Sequence, residues 1–202
     1  MFLNCYVRTM LAVFLDTETS GLNAMTHCIL ELAYKIVDVK TGEVKSEYQS
    51  LIAQPRDAWE QSDKESLRIT GFSWEEVSGG KKKEVVAAEV RADFQRHNIV
   101  KKKAVFICQN PTFDRAFFSQ VVSPETQEQL QWPYHWLDLA SMYWALSVRE
   151  AQQGKGPVPW DGGISKDNIA KRYGLEHEPK PHRAMNGVVH LMKCYETVVG
   201  FL

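Results

Sequence analysis

Leu11-Ala12-Val13-Phe14-Leu15-Asp16-Thr17-Glu18-Thr19-Ser20-Gly21-Leu22 runs from five apolar residues straight into two carboxylates two positions apart. A short continuous apolar run predicts a strand buried on both faces, within a sheet covered on both sides. Side chains two apart on a strand share a face, so Asp16 and Glu18 project together from its end. Two carboxylates held that close repel unless a cation lies between them. Hard oxygen donors suit Mg²⁺ or Mn²⁺ better than zinc. An Asp-x-Glu pair alone is common on surfaces; its place after a buried run sets this one apart.

A second apolar run, Ala104-Val105-Phe106-Ile107-Cys108, leads into Gln109-Asn110-Pro111-Thr112-Phe113-Asp114. Pro111 suits the opening of a helix running through Phe117 and Phe118, which places Asp114 in a first turn where the dipole favours an acid. Ile29 to Val39 and Glu43 to Leu51 predict two more strands, joined by a hairpin at Asp38-Val39-Lys40-Thr41-Gly42. Helices are predicted over 61–70 with Gly71 as C-cap, over 84–97, 139–149, 166–173 and 184–199. Ser73 is placed to cap a short turn, and Gln152 to Gly163, rich in Gly and Pro, reads as the longest loop. Strands followed by helices interleaved with more strand give an α/β layer fold with a mixed sheet. No repeat or domain boundary interrupts it. A leader over residues 1–10 and one domain over 11–202 are expected.

A chain of 202 residues with 44% hydrophobic and 24% charged content fits one soluble domain with a substantial core. Its net charge of −1 argues against adhesion to a polyanion over the whole surface, and leaves that work to a local basic rim or bound cations. Cys5, Cys28, Cys108 and Cys194 form no Cys-x-x-Cys pair, against zinc or redox chemistry. Cys28 and Cys108 lie in apolar runs and read as buried reduced thiols, which points to a cytoplasmic setting. No apolar stretch approaches the ~20 residues that span a membrane. The first nine residues lack a basic region followed by a long apolar one, so no signal peptide is expected.

After Pro179-Lys180-Pro181 comes His182-Arg183-Ala184-Met185-Asn186-Gly187-Val188. With the Asp16/Glu18 and Asp114 segments, in that order, this resembles the three motifs of the DEDDh (DnaQ-like) 3′→5′ exonucleases, the superfamily of the bacterial DNA polymerase III proofreading (epsilon) subunit. Ile69-Thr70-Gly71-Phe72, Trp136-Leu137-Asp138-Leu139 and Asp167-Asn168-Ile169-Ala170 extend the likeness over about residues 11 to 199. The resemblance implies a ribonuclease-H-like mixed five-stranded sheet flanked by helices, with 11–202 as an exonuclease domain. It implies metal-dependent hydrolysis at the 3′ end of single-stranded nucleic acid, DNA favoured over RNA, releasing nucleoside 5′-monophosphates. Asp16, Glu18 and Asp114 would hold two Mg²⁺ or Mn²⁺ ions, and His182 would take the proton of the attacking water. Thr17, Ser20, Gly21, Leu22, Asn110 and Phe113 would contact the terminal nucleotide, with Leu22 packing on its base.

The sequence departs from the family pattern at two places. Gln109 stands where histidine is frequent, and Gly187 stands where the pattern has a metal-binding aspartate, five residues after the histidine. A glycine inside a helix costs about 1 kcal/mol relative to alanine, so stability does not recommend it. Three readings stay open: a weakened or inactive member that still grips 3′ ends, an active one with a substitute ligand (Asn186, Glu176, Glu178 or Asp161), or a disabled copy of an active enzyme. Gly187→Asp is expected to raise cleavage.

The rival functions are an interaction module that binds without cutting and a ribonuclease of the same fold. Lys81-Lys82-Lys83 and Lys101-Lys102-Lys103 read as solvated loop ends, with phosphate contact as the alternative. Gln127-Glu128-Gln129-Leu130-Gln131-Trp132 faintly resembles a sliding-clamp peptide, but local packing is the expected role. Trp132, Trp136, Trp144, Tyr134 and Tyr143 read as core and helix packing rather than as a base-stacking platform. The chain ends soon after its last helix, so a stand-alone protein is expected rather than a polymerase subunit.

Overall fold

Strand β1, Leu11–Thr19, sorts its neighbours by the alternation of its own side chains. Val13 and Leu15 face a cluster that includes Phe94, Phe106 and Phe118, while Ala12 and Phe14 face one that includes Leu139, Val188 and Leu191. Both faces of the strand are therefore buried, as its apolar run requires. The computed structural model describes residues 10–202, so the expected leader, apart from Met10, lies outside the described residues.

Four strands join β1: β2 Ile29–Asp38, β3 Val44–Leu51, β4 Ala104–Cys108 and β5 Trp136–Asp138. Their order is β3-β2-β1-β4-β5. β2 runs antiparallel to β1 and β3, whereas β4 pairs in parallel with β1 and with β5. Ten helices complete the described residues: α1 Arg56–Glu60, α2 Lys64–Thr70, α3 Trp74–Ser78, α4 Lys83–Arg96, α5 Pro111–Val121, α6 Pro124–Gln129, α7 Leu139–Gln152, α8 Pro159–Gly162, α9 Lys166–Tyr173 and α10 Ala184–Val198. α4 and α5 cover one face of the sheet; α7, α9 and α10 cover the other. This is the expected mixed five-stranded sheet flanked by helices. The parallel pairing of β1 with β4 sets their carboxyl ends side by side, the usual place for a site in a sheet of this kind.

Local chemistry explains the element ends. Ser73 forms a full capping box with Glu76 at α3, and Gly71 closes α2 at φ 64°, the left-handed conformation glycine tolerates. The helix predicted over 61–70 begins only at Lys64, because Asp63 accepts a hydrogen bond from Ser66 N and caps α2 there. α1, α6, α8 and the three-residue β5 were not foreseen. Trp132 is buried against Phe94, and Gln127 is buried with its Nε2 donating to Val122 O at 2.7 Å, so the clamp-like segment is packing. Trp136 stacks on Phe106 and Tyr143 is buried, and Trp144 packs α7 against Trp160 of α8 while part-exposed, but Tyr134 is exposed on a loop, contrary to the expected packing role. Lys81 pairs with Glu89 and Lys101 with Glu128, which leaves fewer free cations in the two lysine runs. Cys108 and Cys194 are buried, Cys28 is only half-buried, and all three are free thiols. Among the described residues no helix is long and apolar enough to cross a membrane.

One polar contact ties α10 to the sheet. Arg183 at the helix N-cap makes no side-chain cap. Glu31, buried on β2, instead accepts from Ala184 N at 2.8 Å through Oε2, and from Gln49 Nε2 at 2.7 Å through Oε1. A capping bond from a neighbouring strand satisfies an orphan helix donor and fixes where the helix starts. Glu31→Ala is expected to cost about 2 kcal/mol, because a buried N–H loses its acceptor. Urea unfolding with an unchanged slope is the measurement, and a loss under about 0.5 kcal/mol would mean that packing alone seats α10.

Candidate active site

Alternation along β1 divides the site between the two faces of the sheet. Asp16 and Glu18 continue the Ala12–Phe14 row toward α10, while Thr17 points to the α5 side, where its Oγ1 donates to Asp114 Oδ1 at 2.9 Å. Asp114 sits in the first turn of α5 and is buried. A bulge between Glu18 and Thr19 ends the regular pairing with β2 here. Opposite Glu18 on β2 lies Glu31, whose charge adds to the crowding.

α10 approaches β1 so closely at Gly187 that a Cβ there would lie 2.2 Å from Asp16 Oδ2. The space beside Asp16 holds Lys166 instead, from the start of α9. Its Nζ donates to Asp16 Oδ1 at 3.0 Å and to Gly187 O at 3.5 Å, and pairs with Glu178 Oε2 at 3.1 Å. Side-chain exposures of 15% for Lys166, 14% for Asp16 and 4% for Glu178 mark this as an interior ion cluster. Of the substitute acids considered from sequence, only Glu178 enters the site. Glu176 is exposed near Lys193, Asp161 is exposed in α8, and Asn186 lines a pocket with His190.

His182 is held by the segment that the Ile69-Thr70-Gly71-Phe72 landmark supplies. Its N donates to Ile69 O at 3.2 Å, Arg183 Nη1 donates to Thr70 O at 2.6 Å, and the guanidinium lies 4.0 Å from the centre of the Phe72 ring. His182 Nδ1 stands 3.2 Å from Glu178 Oε1, close enough for an ion pair, yet that oxygen is buried with no aligned hydrogen-bond donor. Donor atoms of Glu18, Glu178 and His182 fall within 4.8 Å of one another. Asp16, Glu18 and Asp114 do not close into so tight a group, but their charges interact.

Electrostatics show what this packing costs. Burial and the neighbouring Asp16 charge push Glu18 up to about 9, and the same two causes push Asp114 up to about 8. Burial also raises Asp16, though Lys166 opposes the shift. Burial would raise Glu178 as well, but His190 and Lys166 hold it at about 2. Cys194 and Glu178 raise His190 to about 9. Burial alone would lower Lys166; Asp16 and Glu178 keep it above its ordinary value. Four carboxylates (Asp16, Glu18, Asp114, Glu178) thus face two buried basic groups, Lys166 and His190, and the crowding that lifts Glu18 and Asp114 is what a bound cation would relieve.

The expected nucleotide-contacting residues lie on the loop after β1 and at the head of α5. Leu22 is exposed at 80% beside Met25 at 90%, on the loop after β1. Ser20 is buried, its N and Oγ bonded to Cys28 O and N, and Gly21 abuts the His27 ring, which leaves no room for a side chain. Asn110 is exposed and makes no capping bond, while Phe113 is half-buried against Phe117. Gln109 Nε2 donates to Ile164 O at 2.7 Å, so this residue joins the 160s loop to the site. Lys166 and His190 were missed. One signal for Lys166 existed: a cation in the first turn of a helix opposes the dipole and implies a partner elsewhere.

The family described as exonuclease (RNase_T) matches residues 13–195. The chain belongs to the exonuclease family. Solved structures with the same fold include E. coli exonuclease I in complex with a dT13 oligonucleotide, with TM-score 0.71 and 19% identity over 94% of this chain and 41% of that one. Cell-death related nuclease 4 (CRN-4) has TM-score 0.68 and 13% identity over 95% of this chain and 64% of that one. This chain therefore spans about two fifths of the exonuclease I chain and under two thirds of the other. At these identities the likeness shows the fold, a ribonuclease-H-like one. No curated protein sequence matches the chain.

Glu18 and Asp114 hold their protons far more tightly folded than unfolded, where their ordinary values are 4.5 and 3.8. The folded state then binds more protons between about pH 4 and pH 9, and stability falls as pH rises through that window. In EDTA the melting temperature is expected to drop steadily from pH 5 to pH 9, and added Mn²⁺ to restore most of it at pH 8. A flat profile in EDTA would show that the carboxylates are not crowded as described.

Proposed function

We propose that this chain is a metal-dependent 3′→5′ exonuclease that removes nucleoside 5′-monophosphates from the 3′ end of single-stranded DNA. The convergence of Asp16, Glu18, Asp114 and His182 at the end of β1, in a member of the exonuclease family, carries the reading. Structures of E. coli exonuclease I with dT13 and dA16 oligonucleotides, and of a zinc-bound form with single-stranded DNA, favour that substrate and a divalent ion.

The residues fit such an ion. Buried carboxylates crowded beyond their ordinary ionisation range, and a buried Glu178 Oε1 without an aligned donor, are what a cation would relieve. Asp16, Glu18 and Asp114 would hold it, and Mg²⁺ or Mn²⁺ suits this all-oxygen set. When bound, the ion lowers the pKa of the attacking water and stabilises charge on the phosphate. His182, within 4.8 Å of the Glu18 donor atom, accepts the proton of that water. Glu178 faces its Nδ1 and leaves Nε2 for the water. Leu22 packs on the terminal base, while Asn110 and Phe113 border the sugar. Gly187 in place of the family's aspartate makes cleavage slower than in a complete site. The second reading, binding of 3′ ends without cleavage, draws support from the Lys166–Asp16 pair alone.

Incubation with 5′-labelled single-stranded DNA is expected to give a ladder of shortened products with Mg²⁺ or Mn²⁺ and none with EDTA. His182→Ala should slow it about 10²- to 10⁴-fold, as loss of a general base does. An EDTA-resistant ladder, or one unaffected by His182→Ala, would point to a contaminant or a different site.

A further inference from the structure

Lys166 occupies a cation seat rather than a surface. Its ammonium has three hydrogens and faces three oxygens, from Asp16, Glu178 and the backbone of Gly187. The seat adjoins position 187, where a Cβ would lie 2.2 Å from Asp16 Oδ2 and would force Asp16 to shift. Glu178, buried and held well below its ordinary ionisation range, returns to the cluster the negative charge that an aspartate at 187 would have carried. Glycine, lysine and glutamate form one compensating set, drawn from α10, α9 and the loop between them. A divalent ion bound by Asp16 Oδ1, Glu178 and Gly187 O would have to displace the ammonium that already occupies those oxygens.

We infer that Lys166 is a resident second cation, so that this chain binds a single divalent ion where its relatives are expected to bind two. The inference rests on the exonuclease reading for the residues of the first ion, Asp16, Glu18 and Asp114. Lys166 acts by neutralising Asp16 and Glu178 and fixing their positions; it forms no bond to the substrate and transfers no proton.

The test is Mn²⁺ stoichiometry in the absence of nucleic acid, by calorimetry and by loss of the free-ion electron paramagnetic resonance signal. The wild-type protein is expected to bind one Mn²⁺, Lys166→Arg also one, and Lys166→Met two, because the vacated oxygens of Asp16, Glu178 and Gly187 then take an ion. Mn²⁺ should also raise the melting temperature of Lys166→Met by more than that of the wild type. A wild-type stoichiometry of two, or of zero, overturns the inference without reference to any variant, as does a folded Lys166→Met that binds only one. Failure of the exonuclease reading looks different: one ion bound and no cleavage of single-stranded DNA.

Discussion

Burying several carboxylates at the end of one strand is the constraint from which the rest of this protein follows. Asp16, Glu18, Asp114 and Glu178 cannot all ionise in an interior without positive charge among them. Lys166 supplies one such charge, and the close approach of α10 at Gly187 makes room for it. That approach depends in turn on Glu31, which anchors the first turn of α10 from the neighbouring strand. A hydrogen bond between sheet and helix thus helps set where the charges of the site lie.

The same geometry changes how the glycine is understood. From sequence, Gly187 looked like a missing ligand whose replacement by aspartate would raise cleavage. In the structure an aspartate there collides with Asp16 while Lys166 is in place, so the single replacement is expected to distort the site rather than complete it. The penalty of a helical glycine is offset by an ion cluster that only glycine permits.

Much of the fold was legible because it follows local rules. The apolar run of β1, the hairpin after β2, Pro111 at the head of α5, and the caps at Ser73 and Gly71 all rest on a few neighbouring residues. The short strand β5 was not legible: three residues carry no periodicity, and it exists because Trp136 stacks on Phe106 of β4. The carboxylates and His182 could be named from their motifs, but their electrostatic company could not. Lys166 meets Asp16 across 150 positions, and Glu178 was only one of several flanking candidates until packing chose it. Trp144 and Tyr134 went the other way, aromatic by type yet left outside the core, with Trp144 paired to the more exposed Trp160.

The central claim is that Lys166 and Gly187 form one device, and a double-mutant cycle on the cleavage rate tests it most directly. Cleavage of single-stranded DNA would be compared for the wild type, Lys166→Asn, Gly187→Asp and the double variant at saturating Mn²⁺. The account predicts strong coupling: Gly187→Asp alone is slower than the wild type, whereas the same substitution made in Lys166→Asn raises the rate by about tenfold or more, because the aspartate then adds a ligand to the second ion site that loss of the lysine has opened. If Gly187→Asp alone reaches the rate of the double variant, Lys166 is a bystander and the account is wrong.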